Sequence, residues 1–131
     1  MAALLVTVLG ALVAAAAGQC PGASDLQAAD GSRACALLYT DDSVYYDQCC
    51  GGKSLVVAPD SDVPYMPLGY SGRISSLVVG TGCQLNVWSR SGKKGKTKTF
   101  KAGAVPRLQE VKKGLLGNWD NAIRSYYCTC S

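Results

Sequence analysis

GKS…VP…ISSLV, spread over residues 52–78, recurs as GKT…VP…IRSYY over residues 95–127. Each copy places a Gly-Lys turn before a Val-Pro pair and ends in a strand-like run with serine at its third position. The interval from glycine to proline is twelve residues in the first copy and eleven in the second, which also carries a longer insertion before its closing run. The repetition predicts two similar four-strand units that bury each other's apolar faces within one small domain.

Short apolar and β-branched runs bounded by Gly, Pro and Ser predict an all-β fold. We expect strands at residues 36–39, 54–59, 75–80, 84–89, 96–100 and 125–130. One short helix is also expected, because Pro106 suits a first helical position and Gly114 suits a C-terminal stop. In that helix Leu108, Val111 and Leu115 would share one face.

The chain begins with eighteen residues, MAALLVTVLGALVAAAAG, that hold no charged side chain and end in small residues. This pattern is typical of a secretory signal peptide. The alternative is a membrane anchor, but the run is somewhat short for the roughly 20 residues that span a bilayer. We therefore expect a signal peptide at residues 1–18, an N-terminal extension tied down by a disulfide at 19–35, and one β-domain at 36–131.

Seven cysteines beside such a leader indicate disulfides formed in an oxidising compartment. Zinc is disfavoured, because the chain has no histidine and no C-x-x-C pair. Since seven is odd, three bridges leave one thiol that is free or joins a second chain, and any six cysteines allow about 15 pairings. The disulfide candidates are Cys20, Cys35, Cys49, Cys50, Cys83, Cys128 and Cys130.

The absence of histidine also bears on function. It excludes Ser-His-Asp and Cys-His catalysis, and no pair of carboxylates stands in a setting that suggests acid–base chemistry. We expect that the protein is not an enzyme and has no catalytic residues.

Charge is divided unevenly along the chain. Residues 19–79 carry seven Asp against three basic residues, a net charge of −4, whereas residues 80–131 carry ten basic residues against Glu110 and Asp120, a net charge of +8. Such asymmetry favours an anionic partner for the basic half. Anionic lipid head groups or sulfated matrix are expected partners, and nucleic acid is not, because the chain is secreted. The alternative is a solvated hairpin whose charges prevent aggregation. The candidate contact residues are Arg90, Lys93, Lys94, Lys96, Lys98 and Lys101, with Lys96 and Lys98 expected on the outer face of their strand.

The repeat resembles the Greek key of the βγ-crystallin family. The hairpin of that family has an aromatic residue, a second aromatic five positions on, and glycine two positions later. Each copy here keeps the first aromatic and the glycine but lacks the middle aromatic, as Tyr45, Cys50 and Gly52 and again as Trp88, Lys93 and Gly95. The resemblance implies a βγ-crystallin-like sandwich of two Greek keys, here stapled by disulfides, in which Ser76 and Ser125 tie back to the two hairpins.

Many relatives of that fold bind calcium through an acidic-acidic-x-x-Ser/Thr-Ser motif. The second copy has Arg124 where a hydroxyl belongs, and the first copy has no acid. Ser75 with Asp120 and Asn121 is the remaining weak candidate for calcium, which prefers six to eight oxygen ligands. The alternative is an ordinary turn in which these side chains bond to the backbone, and no other cofactor is expected.

Over about 110 residues the chain also resembles the syncollin family of secretory-granule proteins. The motifs that carry the resemblance are Tyr45-Tyr46, Cys49-Cys50-Gly51-Gly52, Pro64-Tyr65, Ser75-Ser76-Leu77-Val78-Val79, Val87-Trp88-Ser89-Arg90, Gly95-Lys96-Thr97, Pro106-Arg107-Leu108, Gly117-Asn118-Trp119 and Tyr127-Cys128-Thr129-Cys130-Ser131.

That resemblance implies a location in the zymogen granule lumen of exocrine pancreatic cells, at the lumenal face of the membrane, with secretion on exocytosis. It further implies self-association into a homo-oligomer, pore formation in lipid, and support of regulated exocytosis and granule–granule fusion. Granule membrane lipids or lumenal membrane proteins are the implied partners. The competing hypothesis is a secreted lectin-like or antimicrobial binding module that acts on anionic surfaces after release.

Overall fold

The computed structural model describes residues 20–41 and 50–131, so the predicted signal peptide, Tyr45 and Cys49 lie outside the described residues. The strands are β1 (Ala36–Asp41), β2 (Gly51–Val57), β3 (Ser61–Val63), β4 (Ser76–Arg90), β5 (Lys94–Val105) and β6 (Ser125–Cys130). All six predicted runs overlap these strands, although residues 58–59 and residue 75 lie just outside them. The runs at 75–80 and 84–89 belong to one continuous strand, and the three-residue β3 was not predicted.

The long strands β4 and β5 take part in both layers of the sandwich. Residues 76–79 of β4 pair with β1 on one side, and residues 77–79 pair with 103–105 of β5 on the other. After a register shift between Val79 and Gln84, the second half of β4 pairs with β6 and with the first half of β5. With β2 beside β1 and β3 beside β6, each layer contains four antiparallel segments.

The two repeats exchange one strand each. From the first repeat, β3 pairs with β6 of the second repeat. From the second repeat, residues 103–105 pair with residues 77–79 of the first. This exchange interlocks two Greek keys and confirms the predicted all-β fold. Buried side chains from both layers, including Leu38, Leu77, Leu85 and Val87, form a single core cluster.

Two buried serines close the hairpins, as the βγ-crystallin resemblance implied. The Ser76 hydroxyl donates to the Asp41 carbonyl at 2.7 Å, and the Ser125 hydroxyl donates to the Arg90 carbonyl at 2.8 Å. Ser125 also accepts the Lys93 N–H at 3.1 Å. Both serines are fully buried, so these bonds fix the hairpin ends against the closing strand of each repeat.

The short helix expected after Pro106 is one 3-10 turn, Leu108–Glu110. A second such turn lies at Ala23–Asp25. Val111 already has extended backbone, and its carbonyl accepts the Trp119 N–H at 2.9 Å, so the chain continues as a hairpin. The expected common face does not form, because Leu108 is buried whereas Leu115 is fully exposed. Within the described residues no helix is long and apolar enough to cross a membrane.

Three disulfides pair all six cysteines of the described ranges. They are Cys20–Cys50, Cys35–Cys128 and Cys83–Cys130. The first bridge ties the N-terminal extension to the start of β2. The second joins Cys35, the residue before β1, to β6, and the third joins directly opposite residues of β4 and β6. The sulfur atoms of Cys35, Cys83 and Cys130 lie within 4.8 Å of one another, so the second and third bridges pack together.

Candidate functional site

The basic run of the sequence divides between the two faces of β5. Phe100 is buried, and because side chains alternate along a strand, Lys96 and Lys98 lie on the same face as Phe100. The Lys98 ammonium stands 5.6 Å from the centre of the Phe100 ring. Lys101 points to the opposite face together with Thr99. The expectation that Lys96 and Lys98 occupy an outer face is therefore wrong: they extend the core-facing side of β5 beyond the end of the core.

Lys96 and Lys98 form one wall of a cleft whose other wall is the hairpin at residues 111–119. We call this feature the lysine cleft. Its volume is about 380 Å³, and it is lined by Gly95, Lys96, Thr97, Lys98, Lys112, Lys113, Gly114 and Trp119. The lining contains four lysines and no carboxylate, so the lysine cleft concentrates positive charge. The sequence offered no signal for this grouping, because Lys98 and Lys112 lie fourteen positions apart.

Backbone hydrogen bonds hold the far wall in place. The Trp119 N–H donates to the Val111 carbonyl at 2.9 Å, and the Lys113 N–H donates to the Gly117 carbonyl at 3.2 Å. Lys112 pairs with Asn118 between these two bonds. Trp119 is 1% exposed and anchors the hairpin in the core, so Lys112 and Lys113 keep a defined position opposite β5.

The remaining members of the basic run stand apart from the lysine cleft. Lys93 forms an ion pair with Asp62 at 2.8 Å, and its ammonium lies 5.9 Å from the Trp88 ring and 6.0 Å from the Tyr127 ring. Lys93 thus occupies the position of the missing middle aromatic and has its charge compensated. Arg90 and Lys94 are exposed near the end of the β4–β5 hairpin. Of the six predicted contact residues, the lysine cleft contains Lys96 and Lys98.

The calcium candidates lie beside a second cleft, of about 620 Å³, that Asn121 and Arg73 help to line. The Ser75 hydroxyl donates to the Asn121 side-chain oxygen at 3.5 Å. One carboxylate oxygen of Asp120 is buried and has no hydrogen-bond partner within the described residues.

This donor set does not fit calcium. Three side chains offer oxygens where calcium takes six to eight ligands. Arg73 lines the neighbouring cleft, and the Arg124 guanidinium lies against Gly72, where it would contact an added Cβ at 3.1 Å. The positive charge of Arg73 beside Asn121 further disfavours a divalent cation. The calcium assignment remains a prediction from the sequence.

Solved βγ-crystallin domains share the fold. A βγ-crystallin from an archaeon is 22% identical, with a TM-score of 0.54 over 70% of this chain and 93% of its own. A βγ-crystallin from Ciona intestinalis is 23% identical, with a TM-score of 0.53 over 73% of this chain and 98% of its own. At these identities the likeness concerns the fold alone.

The sequence comparisons are more specific. The syncollin family model matches residues 19–130. Syncollin of Homo sapiens is 48% identical over 128 residues, which cover 98% of this chain and 96% of the human protein. Syncollin of Rattus norvegicus is 46% identical over 127 residues, covering 97% of this chain and 95% of the rat protein. The chain therefore belongs to the syncollin family.

Proposed function

We propose that the protein acts in the lumen of secretory granules, where it supports regulated exocytosis and granule–granule fusion by binding peripherally to anionic membrane lipid. Membership in the syncollin family and the signal-peptide pattern of residues 1–18 support the location. The observation that carries the binding role is the lysine cleft, in which four lysines converge without a carboxylate in the lining.

The strength of this contact follows from the charge of the cleft. Each Lys or Arg near an anionic membrane contributes about 1 kcal/mol, so the four lysines together supply about 4 kcal/mol, or roughly a thousandfold in affinity. The attraction falls with ionic strength, because the screening length shortens from about 10 Å at 0.1 M salt to about 3 Å at 1 M. Binding is expected to weaken steeply as salt is added.

The test compares two variants with the same change in net charge. One replaces Lys96, Lys98, Lys112 and Lys113 by Gln. The matched control replaces four exposed basic residues outside the lysine cleft by Gln: Lys53, Arg73, Lys101 and Arg124. Binding of the oxidised mature protein is measured by co-sedimentation with vesicles of three parts phosphatidylcholine to one part phosphatidylserine. We expect the vesicle affinity of the first variant to fall by at least roughly a hundredfold, as the same count of charges implies. The affinity of the control should fall much less.

Two results would contradict the proposal. Equal losses in both variants would assign binding to overall charge instead of the lysine cleft. Unchanged binding and unchanged salt response in the first variant would assign membrane association to protein partners or neutral-lipid contacts.

The granule role has its own test. Secretory granules are isolated, and their membranes are washed with high salt or with sodium carbonate. A peripheral granule protein is released by sodium carbonate, and granules that carry the four-lysine variant should release a larger share of it in high salt than granules that carry the unaltered protein. If the protein is found only in the extracellular fluid and never with granule membranes, a binding module that acts after secretion becomes the better description. The absence of enzymatic activity remains a prediction.

A further inference from the structure

Two leucines stand at the end of the 111–119 hairpin without any packing partner in the described part of the chain. Leu115 is 102% exposed and Leu116 is 85% exposed. They lie between Gly114 and Gly117, both at φ of +83°, a conformation that favours glycine because it has no Cβ. The two glycines turn the chain so that the leucines occupy the outermost positions.

The hairpin presents these leucines in a fixed place. Lys113 and Gly117 close the three-residue tip, residues 114–116, with a backbone hydrogen bond, and Trp119 anchors the base in the core. A tip held in this way loses less conformational freedom on binding than a loose loop would lose. An exposed apolar pair on such a base is a surface feature that favours an interaction.

The charges around the tip identify the occupant. The Lys96 ammonium lies against Gly114, where an added Cβ would stand 2.8 Å from it, and the Lys113 side chain comes within 3.7 Å of an added Cβ on Gly117. The apolar tip therefore rises directly from the lysine cleft. An anionic bilayer offers the complementary order, with negative head groups outside and hydrocarbon beneath them.

We propose that Leu115 and Leu116 insert into the interfacial region of an anionic bilayer and hold the protein there when salt has screened the lysine cleft. This inference rests on the proposed membrane-binding function and adds an apolar anchor to it. The lysine cleft provides the attraction that brings the protein to the surface, and the leucine tip provides the part of the affinity that salt does not remove.

The test uses the oxidised mature protein and the phosphatidylcholine–phosphatidylserine vesicles described above, at low salt and at about 1 M NaCl. The double variant Leu115→Ser, Leu116→Ser is compared with Val56→Ser, which changes an exposed apolar residue on the edge strand β2. The double variant should keep salt-sensitive binding but lose at least roughly tenfold in affinity, from the apolar burial of two leucines. It should retain almost no binding at high salt, whereas Val56→Ser should behave as the unaltered protein.

A depth measurement supplies a second readout. In the variant Leu115→Trp, fluorescence should be quenched by lipids brominated on their acyl chains, well beyond the quenching of the unaltered protein, whose own tryptophans are the buried Trp119 and the half-buried Trp88. Bound protein without added quenching would overturn the insertion.

The remaining outcomes separate this inference from the proposed function. If the double serine variant binds as the unaltered protein does at both salt concentrations, the leucine anchor is wrong and the lysine-cleft proposal stands. If the unaltered protein does not bind the vesicles at low salt, both are wrong. If the double serine change converts an oligomer into a monomer in lipid-free sedimentation, a second copy of the chain covers the tip, and the lipid assignment is overturned.

Discussion

Replacing Ser125 by Ala tests whether a single buried hydroxyl holds the hairpin that carries the lysine cleft. Ser125 is fully buried, donates to the Arg90 carbonyl at 2.8 Å and accepts the Lys93 N–H at 3.1 Å. A typical intramolecular hydrogen bond contributes about 1 kcal/mol. The loss of two bonds should therefore lower the free energy of unfolding by about 2 kcal/mol, which corresponds to a fall in Tm of roughly 10 °C for a domain of this size.

The measurement is urea unfolding of the oxidised mature protein, followed by tryptophan fluorescence. Trp119 is 1% exposed and will report loss of the core. The control is Thr99→Ala, which removes a hydroxyl that donates to the Asn86 side chain on the exposed face of β5. Water can replace that bond, so the control should change stability by less than about 0.5 kcal/mol.

The two variants together decide the interpretation. If Ser125→Ala loses no more than Thr99→Ala, the serine tie is not what holds the β4–β5 hairpin against β6. If Ser125→Ala loses about 2 kcal/mol and also weakens vesicle binding, the position of Lys96 and Lys98 depends on this tie.

Two further predictions concern the disulfides and alkaline pH. The double variant C35A/C128A removes the bridge that ties the start of β1 to β6, whose cysteines are 93 residues apart. It should lower the free energy of unfolding by about 3–5 kcal/mol, because the unfolded chain regains the entropy of a long loop. A loss below about 1 kcal/mol in urea unfolding would refute this. Burial raises the pKa of Tyr126 above its usual 10.0. Its contribution to stability is therefore complete below the unfolded pKa and is lost as the pH rises through the folded pKa. Urea unfolding from about pH 8 to 11 should show a decline that is smaller in Tyr126→Phe, and an identical decline in both proteins would assign the effect to other groups.

Local patterns account for most of the strands and for the repeat. The alternating run at 84–89 and all but the first residue of the β-branched run at 75–80 lie in β4, because alternation with period two depends only on neighbouring residues. The three-residue β3 has no such pattern. It exists as a strand because Ser61–Val63 pairs with residues 126–128 of β6, which are far along the chain.

The segment after Pro106 marks where local reasoning failed. Its 3.6-residue spacing of Leu108, Val111 and Leu115 favoured a helix, but two turns cannot form a stable helix without tertiary packing. The contact available in the folded protein is instead the hydrogen bond between Val111 and Trp119, which makes a hairpin and leaves Leu115 exposed. The same hairpin brings Lys112 and Lys113 to β5, so the lysine cleft was not predictable from either segment alone.

The sequence by itself determined that this protein is a β-rich, disulfide-bonded repeat of the syncollin family, since these properties depend on residue type and spacing. The resemblance to the βγ-crystallin family further implied that Ser76 and Ser125 would close its two hairpins. Only the tertiary structure decided which cysteines pair and which face of β5 is buried. Bridging needs Cβ atoms about 3.5–4.5 Å apart, and Cys35 and Cys128 meet this condition only after two distant strands have packed. Likewise, alternation along β5 places Lys96, Lys98 and Phe100 on one face. Only the packing of the folded protein determines that this face is the one turned toward the core.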